Sequence, residues 1–113
     1  MSDCLFCKIS RGEIPAKIVY RDPDLFVFED IAPQAPTHLL ICPQKHLSSL
    51  ESASAEDSAL MGRALLLAKQ LAAERKLGEG YRLVLNTGAG AGQTVFHMHF
   101  HLLGGRQFKW PPG

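Results

Sequence analysis

The sequence has almost no net charge, no long apolar run and only three cysteines. Its 12 Lys and Arg residues nearly balance 11 Asp and Glu residues, so a broad basic surface for extended nucleic acid is not expected. No apolar run reaches the roughly 18 residues that span a membrane, and the N-terminus lacks the basic, apolar pattern of a signal peptide. An odd, small number of cysteines argues against a disulfide framework. We therefore expect a cytoplasmic protein that binds neither membranes nor extended nucleic acid.

The apolar content is sufficient for one hydrophobic core. The chain has 113 residues, of which 46% are hydrophobic, and a unit of this size buries roughly 65% of the surface that its unfolded chain exposes. Neither a repeat nor a low-complexity linker interrupts the sequence. We expect a single domain over residues 1–113.

Hydrophobic spacing predicts an α+β fold. Short segments rich in apolar, β-branched and aromatic residues, separated by turn residues, predict strands at 17–21, 25–30, 38–43, 81–86 and 96–103. Between the third and fourth strands, spacings of three and four predict one helix at about 54–76, with an apolar stripe of Leu60, Ala64, Leu67, Ala68 and Leu71. Strands that follow one another without intervening helices favour antiparallel pairing.

The two ends of this helix carry separate signals. Ser54, followed three residues later by Asp57, resembles a capping box at the start. Gly78 stands where a left-handed residue commonly closes a helix. We expect the helix to begin near Ser54 and Gly78 to adopt the left-handed conformation.

Three of the five histidines lie within five positions, at His97, His99 and His101. Alternate side chains of a strand face the same side, so the three imidazoles are expected on one face with Cα atoms roughly 6.6 Å apart. Such a group can act on one substrate, hold a metal or be satisfied core histidines. The spacing alone does not decide among these functions.

A glycine-rich loop over residues 86–94 leads into the histidines. Its glycines permit close backbone approach to an anion, and its polar ends offer Asn86, Gln93 and Thr94 as hydrogen-bonding side chains. No Lys follows the glycines, so the loop is not a Walker loop. It predicts either a phosphate-binding loop or a plain hairpin connection.

Cys4 and Cys7 have a spacing that allows two thiolates to bind one metal ion. Two ligands do not complete the tetrahedral shell of zinc, so two more are required. The alternative is a pair of ordinary thiols. Cys42 lies in an apolar segment and is expected to be a small buried hydrophobic residue.

Several segments together resemble the histidine triad family. The run from His97 to Leu103, HMHFHLL, matches its signature of histidines alternating with apolar residues. Residues 6–9 and 12–15 resemble its N-terminal segment, residues 30–38 its second motif, and residues 103–113 the tail of its nucleotide-binding branch. The resemblance covers essentially the whole chain. It implies an antiparallel sheet of about five strands, one long helix and a short N-terminal helix, with the sheet continued across a two-fold homodimer.

The resemblance also implies a hydrolase of nucleotidyl phosphoramidates or related mixed anhydrides. The middle histidine, His99, would attack the α-phosphate and form a nucleotidyl-histidine intermediate, since an imidazole with a pKa of about 6.5 is mostly neutral near pH 7. His101 would contact phosphoryl oxygens and assist the leaving amine, and His38 would orient His99 or relay a proton to it. Thr94 would hydrogen-bond the phosphate or the leaving group. No catalytic cofactor is implied.

Binding residues follow from the same resemblance. Asn86, Gly92 and Gln93 would complete the phosphate cradle, and the Asp30 carboxylate would bind the ribose hydroxyls. An apolar slot would receive a purine base of AMP or GMP through stacking area, lined by Phe6, Ile9, Phe28, Ile31 and Leu40. Some family members with a Cys-x-x-Cys pair complete a structural zinc site with two histidines, and the resemblance implies Cys4, Cys7, His46 and His97 as the ligands in this chain.

Two other functions remain open at this stage. The three histidines could instead hold a catalytic zinc, although no accompanying general base is evident. The protein could also be a nucleotide-binding or scaffolding protein with incidental hydrolysis. His101 favours hydrolysis over transfer, because related nucleotidyl transferases carry Gln at that position.

Overall fold

A computed structural model of the chain describes residues 4–113, so Met1–Asp3, at the end where no signal peptide is expected, lie outside it. A short helix α1 (Leu5–Ser10) precedes strands β1 (Ile18–Arg21), β2 (Leu25–Glu29) and β3 (Thr37–Pro43), and helix α2 (Ser58–Glu74) precedes β4 (Tyr81–Val84) and β5 (Phe100–Gly104). Short 3₁₀ turns lie at Leu50–Ser52, Ala55–Asp57 and Ala89–Ala91. The strands form one antiparallel sheet in the order β1-β2-β3-β5-β4. The predicted α+β class, with five antiparallel strands and one long helix, is confirmed.

The sheet separates two apolar clusters. One face packs against α2, which lies across β3 and β5, and the predicted helix stripe is buried there except for the partly exposed Leu60. The other face packs against α1 through a smaller cluster. Its members are Phe6 and Ile9 of α1 and Phe26, Phe28, Leu40 and Cys42 of the sheet. Cys42 is fully buried, as expected. No helix in residues 4–113 is long and apolar enough to cross a membrane.

Helix α2 begins later than predicted. The Ser54 N–H donates to the Asp57 carboxylate at 2.9 Å, as part of the expected capping box. This contact closes a 3₁₀ turn over Ala55–Asp57, and the α-helix itself starts at Ser58. The predicted capping signal therefore forms, but it precedes the α-helix by one turn.

The helix also ends earlier, and Gly78 is not its left-handed residue. The α-helix stops at Glu74, and Lys76 has φ +60°. Hydrogen bonds from Leu77 N–H to the Ala72 carbonyl at 2.9 Å and from Lys76 N–H to the Ala73 carbonyl at 3.1 Å form a Schellman closure. The prediction for Gly78 was wrong because these bonds determine which residue reverses the chain.

The histidine segment departs from the predicted strand over 96–103. β5 begins only at Phe100. Before it, the Met98 N–H donates to the Leu47 carbonyl at 2.6 Å, and His97 Nε2 lies 2.7 Å from the Pro43 carbonyl oxygen. The strand prediction is wrong for residues 96–99. Because β3 ends at Pro43, the His97 ring and the Met98 N–H bond to the Pro43 and Leu47 carbonyls and do not pair with a strand.

Candidate active site

The imidazoles of the triad gather on one side of the sheet although only His101 lies within β5. The ring of His99 is centred 4.9 Å from that of His101 and 4.9 Å from that of Phe6. The intervening apolar residues face the other side and are buried under α2: Met98, Phe100 and Leu102. The alternation predicted from the sequence is therefore retained by a bent segment.

His99 has a defined proton arrangement. Its Nδ1 lies 2.7 Å from the backbone carbonyl oxygen of His97. A carbonyl oxygen can only accept, so Nδ1 carries the proton and Nε2 keeps its lone pair in the neutral ring. His99 is 8% exposed. The result is a buried, fixed imidazole with one unprotonated nitrogen.

His38 contacts His101 and not His99. His38 Nδ1 accepts the backbone N–H of Gln34 at 3.0 Å, and its Nε2 lies 2.9 Å from His101 Nδ1. Because a backbone N–H can only donate, the His38 proton is on Nε2 and is donated to His101, whose own proton is then on Nε2. Sequence reasoning missed Gln34, since its backbone contact depends on how a loop folds. The expected contact with His99 is not formed.

Asp30 lies beside this pair. Its Oδ2 is 3.5 Å from His38 Nε2, and its Oδ1 accepts the backbone N–H of Ala32 at 2.8 Å. The carboxyl side chain is 20% exposed. Its Oδ1 is therefore held by the loop, and part of the carboxylate remains accessible to solvent.

Burial keeps these imidazoles neutral. It lowers the pKa of His99 and of His38 below the usual value for histidine, despite the opposing influence of Asp30. For His101, burial and the neighbouring His99 and His38 lower the pKa to about 4. A neutral ring is the form needed for nucleophilic attack, and it still donates one hydrogen bond through its remaining N–H.

Replacing His101 with glutamine is expected to make the protein less sensitive to acid. An unfolded histidine takes up a proton below about pH 6.5, whereas folded His101 does so only near pH 4, so the wild type loses stability as pH falls across this interval. We expect the loss in unfolding free energy between pH 7 and pH 4 to shrink by about 2 kcal/mol in His101→Gln, allowing for partial solvent screening. Denaturant titrations of both proteins at each pH measure it, and equal losses would contradict the assignment.

A second cluster brings together the four predicted metal ligands. His97 Nδ1 lies 3.4 Å from Cys4 Sγ and 3.5 Å from Cys7 Sγ. His46 Nδ1 lies 3.4 Å from Cys7 Sγ and 3.2 Å from His97 Nδ1. A tetrahedral zinc separates nitrogen and sulfur donors by about 3.6 Å and two nitrogens by about 3.4 Å. The donor set and its spacing both fit zinc.

The outer contacts of the cluster also fit a metal. The Pro43 carbonyl accepts from His97 Nε2, which leaves the unprotonated Nδ1 facing the thiols, as a histidine ligand requires. Burial and the adjacent Cys4 thiol raise the pKa of Cys7, so paired thiolates need a nearby cation. In residues 4–113, neither group of converging metal donors contains all three triad histidines. This arrangement disfavours the metallohydrolase alternative.

Four of the five predicted base-pocket residues pack together. Phe6, Ile9, Phe28 and Leu40 are each 4–6% exposed and belong to one cluster, and Phe6 meets Phe28 edge to face at 5.2 Å. Ile31 lies apart from them and is 96% exposed. The cluster forms an apolar floor next to His99, and Ile31 lies outside this floor.

The glycine-rich loop is held by its own glutamine. Gln93 is 3% exposed, its Oε1 accepts the Gly88 N–H at 2.8 Å, and its Nε2 donates to the Ser48 and Val95 carbonyls at 2.7 and 3.0 Å. Both side-chain donors are used internally, so the side chain orders the loop and does not face a phosphate. Thr94 is exposed beside it.

The other predicted cradle residues remain near one another. Gly92 is exposed with φ +96°, which favours glycine, and the Asn86 amide lies 4.0 Å from where a Cβ on Gly92 would stand. Asn86 itself is half-buried. The loop therefore presents backbone and amide donors next to the histidine segment.

Known proteins resemble this chain over almost its whole length. The sequence model of the HIT domain family matches residues 11–108. An uncharacterised HIT-like protein of Synechocystis is 55% identical, covering 98% of this chain and 97% of its own length. The crystal structure of a HIT family hydrolase from Legionella pneumophila is 54% identical, covers 98% of this chain and 100% of its own, and has a TM-score of 0.96.

A more distant structure extends the same similarity. The histidine triad nucleotide-binding protein of Candida albicans is 34% identical and covers 96% of this chain and 83% of its own, with a TM-score of 0.83. The family match spans most of the sequence, and the high identities extend over nearly all of it. The chain therefore belongs to the HIT domain family.

Proposed function

We propose that this protein is a hydrolase that cleaves the P–N bond of purine nucleoside 5′-phosphoramidates, releasing AMP or GMP and an amine. The observation that carries the proposal is the bond from His99 Nδ1–H to the His97 carbonyl, which leaves His99 Nε2 as a nucleophile. Relatives described as a HIT family hydrolase and as a histidine triad nucleotide-binding protein support hydrolysis and nucleotide binding. The nucleotide-binding branch of the family is part of this proposal.

In the first step, His99 Nε2 attacks the α-phosphorus. The new N–P bond forms as the P–N bond to the amine breaks, with its electron pair going to an amine nitrogen that has taken a proton from solvent. The positive charge that develops on the ring of His99 is stabilised by the His97 carbonyl at Nδ1. His101 Nε2–H donates to a phosphoryl oxygen, a role supported by its neutral, Nε2-protonated form.

In the second step, water attacks the phosphorus of the nucleotidyl-His99 intermediate. The bond to Nε2 breaks, its electron pair returns to the ring, and the proton of the attacking water goes to solvent. The nucleoside monophosphate leaves with its new oxygen, so the enzyme is regenerated without a catalytic cofactor. One proton is taken up in the first step and one is released in the second, which balances the reaction.

The remaining site residues bind the substrate in this proposal. Asn86, Gly92 and Thr94 hydrogen-bond the phosphate, and the outward part of the Asp30 carboxylate accepts the ribose hydroxyls. Gln93 contributes indirectly by ordering the loop. The purine lies over the apolar floor, with Ile31 above it.

We further propose that a structural zinc is held by Cys4, Cys7, His46 and His97. The ion ties the start of α1 to the segment that carries His99, and it takes no part in the chemistry. Its support is the geometry of the four donors and the contact of His97 with Pro43. The reduced cysteines also agree with a cytoplasmic location, which we propose as well.

A homodimer that continues the sheet is proposed from β4 and α2. β4 is an edge strand, and α2 exposes Leu65 and Leu66 to 50% and 66%. We expect light scattering at micromolar concentration to give about twice 12.4 kDa, and Leu66→Glu to give monomers because a charge would be buried at the interface. Leu50→Glu, at an exposed leucine outside α2, is the matched control. A wild-type mass near 12.4 kDa would refute the dimer.

The function is tested by mixing the protein rapidly with adenosine 5′-phosphoramidate. Intact-mass spectrometry detects a transient adenylyl adduct, and a steady-state assay measures released AMP. We expect an adenylyl adduct and steady AMP release. AMP release should continue after chelator is added, because the proposed zinc takes no part in the chemistry. Protein that binds AMP but shows no turnover would instead support the nucleotide-binding alternative.

A further inference from the structure

The segment after β5 contacts the loop that precedes β3. The register pairs Thr37 with Gly104, so the two segments leave the sheet side by side. Gly105 has φ +91°, and a Cβ on it would lie 2.9 Å from the Pro36 side chain. This close approach requires glycine, and it brings the next residue, Arg106, against the loop.

Arg106 holds one particular backbone group of that loop. Its Nε donates to the Gln34 carbonyl at 2.8 Å, and its Nη1 donates to the Gln107 carbonyl at 2.9 Å. The guanidinium lies 4.2 Å from the centre of the Phe108 ring, with Arg82 4.9 Å from the same ring. Two hydrogen bonds and a stacked ring thus restrict an otherwise exposed side chain.

Gln34 links this contact to the catalytic histidines. Its carbonyl accepts from Arg106, while its N–H donates to His38 Nδ1 at 3.0 Å. That N–H keeps the His38 proton on Nε2, and His38 in turn keeps the His101 proton on Nε2, where it can reach a phosphoryl oxygen. Loss of the Gln34 contact would let both rings adopt the opposite tautomer.

We propose that Arg106 is a positioning residue that sets the proton arrangement of His38 and His101 through Gln34. Its kinetic consequence rests on the proposed function, whereas its effect on the hydrogen bonds does not. The loop has other anchors, including the Asp30 N–H to the His38 carbonyl at 3.0 Å and the Gln34 side chain to the Ala32 carbonyl at 2.9 Å. Removal of Arg106 is therefore expected to loosen the loop without unfolding the protein.

The test compares Arg106→Ala with the wild type by amide hydrogen exchange at Gln34 and by ¹⁵N NMR of the histidine rings. We expect exchange at Gln34 to be about tenfold faster in the variant and His38 to populate both tautomers. We also expect kcat for adenosine 5′-phosphoramidate to fall by about three- to tenfold with little change in KM, because the His101 donor acts on developing charge. Equal thermal stability of the two proteins separates this effect from general damage.

Two further variants distinguish the Arg106–Gln34 hydrogen bond from the positive charge of Arg106. Arg82→Ala removes an equal charge from the same aromatic ring without touching Gln34, so it should keep wild-type exchange and kcat. Arg106→Lys keeps the charge but loses the planar fork, so it should resemble Arg106→Ala. Wild-type tautomers and Gln34 exchange in Arg106→Ala would overturn the proposal. An inactive wild type would refute the proposed function, yet the NMR and exchange measurements would still decide the role of Arg106.

Discussion

Replacing His99 with alanine is expected to lower AMP release from adenosine 5′-phosphoramidate by at least about 10⁴-fold, equivalent to about 5 kcal/mol of transition-state stabilisation. Nucleophile removal blocks the covalent route entirely, and water lacks the fixed orientation of an imidazole whose Nδ1 is bonded to the His97 carbonyl. Because the phosphate donors and the apolar floor remain, AMP affinity should change by less than about tenfold.

Three measurements check this expectation. Steady-state kinetics gives the loss of rate, calorimetry gives the affinity for AMP, and intact-mass spectrometry shows whether the adenylyl adduct disappears. Phe96→Ala is the matched control, since Phe96 lies in the same segment and is 50% exposed; its kcat should stay within about threefold of the wild type. Similar AMP release from His99→Ala and the wild type would exclude His99 as nucleophile and revive the metal-dependent alternative.

The spacing of residues along the sequence is sufficient to predict those parts of the structure that neighbouring residues determine. The apolar stripe of α2 predicted its buried face. The turn residues between the first two predicted strands do form a turn, in which the Asp22 carboxylate accepts the N–H groups of Asp24 and Leu25 at 2.8 Å each. The alternation of histidine and apolar residues separated the imidazoles from the core even where the strand itself was absent.

Contacts made by distant backbone groups could not be predicted in this way. The Pro43 and Leu47 carbonyls accept hydrogen bonds from residues 97–98 and keep them out of a strand. No sequence pattern shows which group a given backbone carbonyl will bind. The same reason explains why His38 was assigned to His99 when the Gln34 N–H and the sheet register direct it to His101. The side-chain type of Gln93 predicts a phosphate ligand, whereas its three internal hydrogen bonds depend on the folded loop and leave no trace in the sequence.

Removing one thiol of the Cys4–Cys7 pair is the second change with a large expected effect. Cys7→Ala should lower bound zinc from about one ion per chain to less than about 0.1, measured by elemental analysis of protein purified without chelator. Alanine is a good helix former at this position of α1, so any loss of stability reports the missing metal ligand and not the helix. A ligand that binds only the folded state at a thousand times its Kd contributes about 4 kcal/mol. We expect a loss of that size in unfolding free energy.

Cys42→Ala provides the control for this measurement. Cys42 is fully buried and lies outside the group of four donors, so its removal should cost about 1 kcal/mol of packing and leave the zinc content unchanged. Added chelator should then destabilise the wild type and Cys42→Ala by similar amounts and leave Cys7→Ala unaffected. If all three proteins contain no zinc and respond equally to chelator, the cluster is a hydrogen-bonded group of thiols and imidazoles. In that case the His97 ring is positioned by the Pro43 carbonyl at Nε2 and by the Cys4 thiol and the His46 ring at Nδ1.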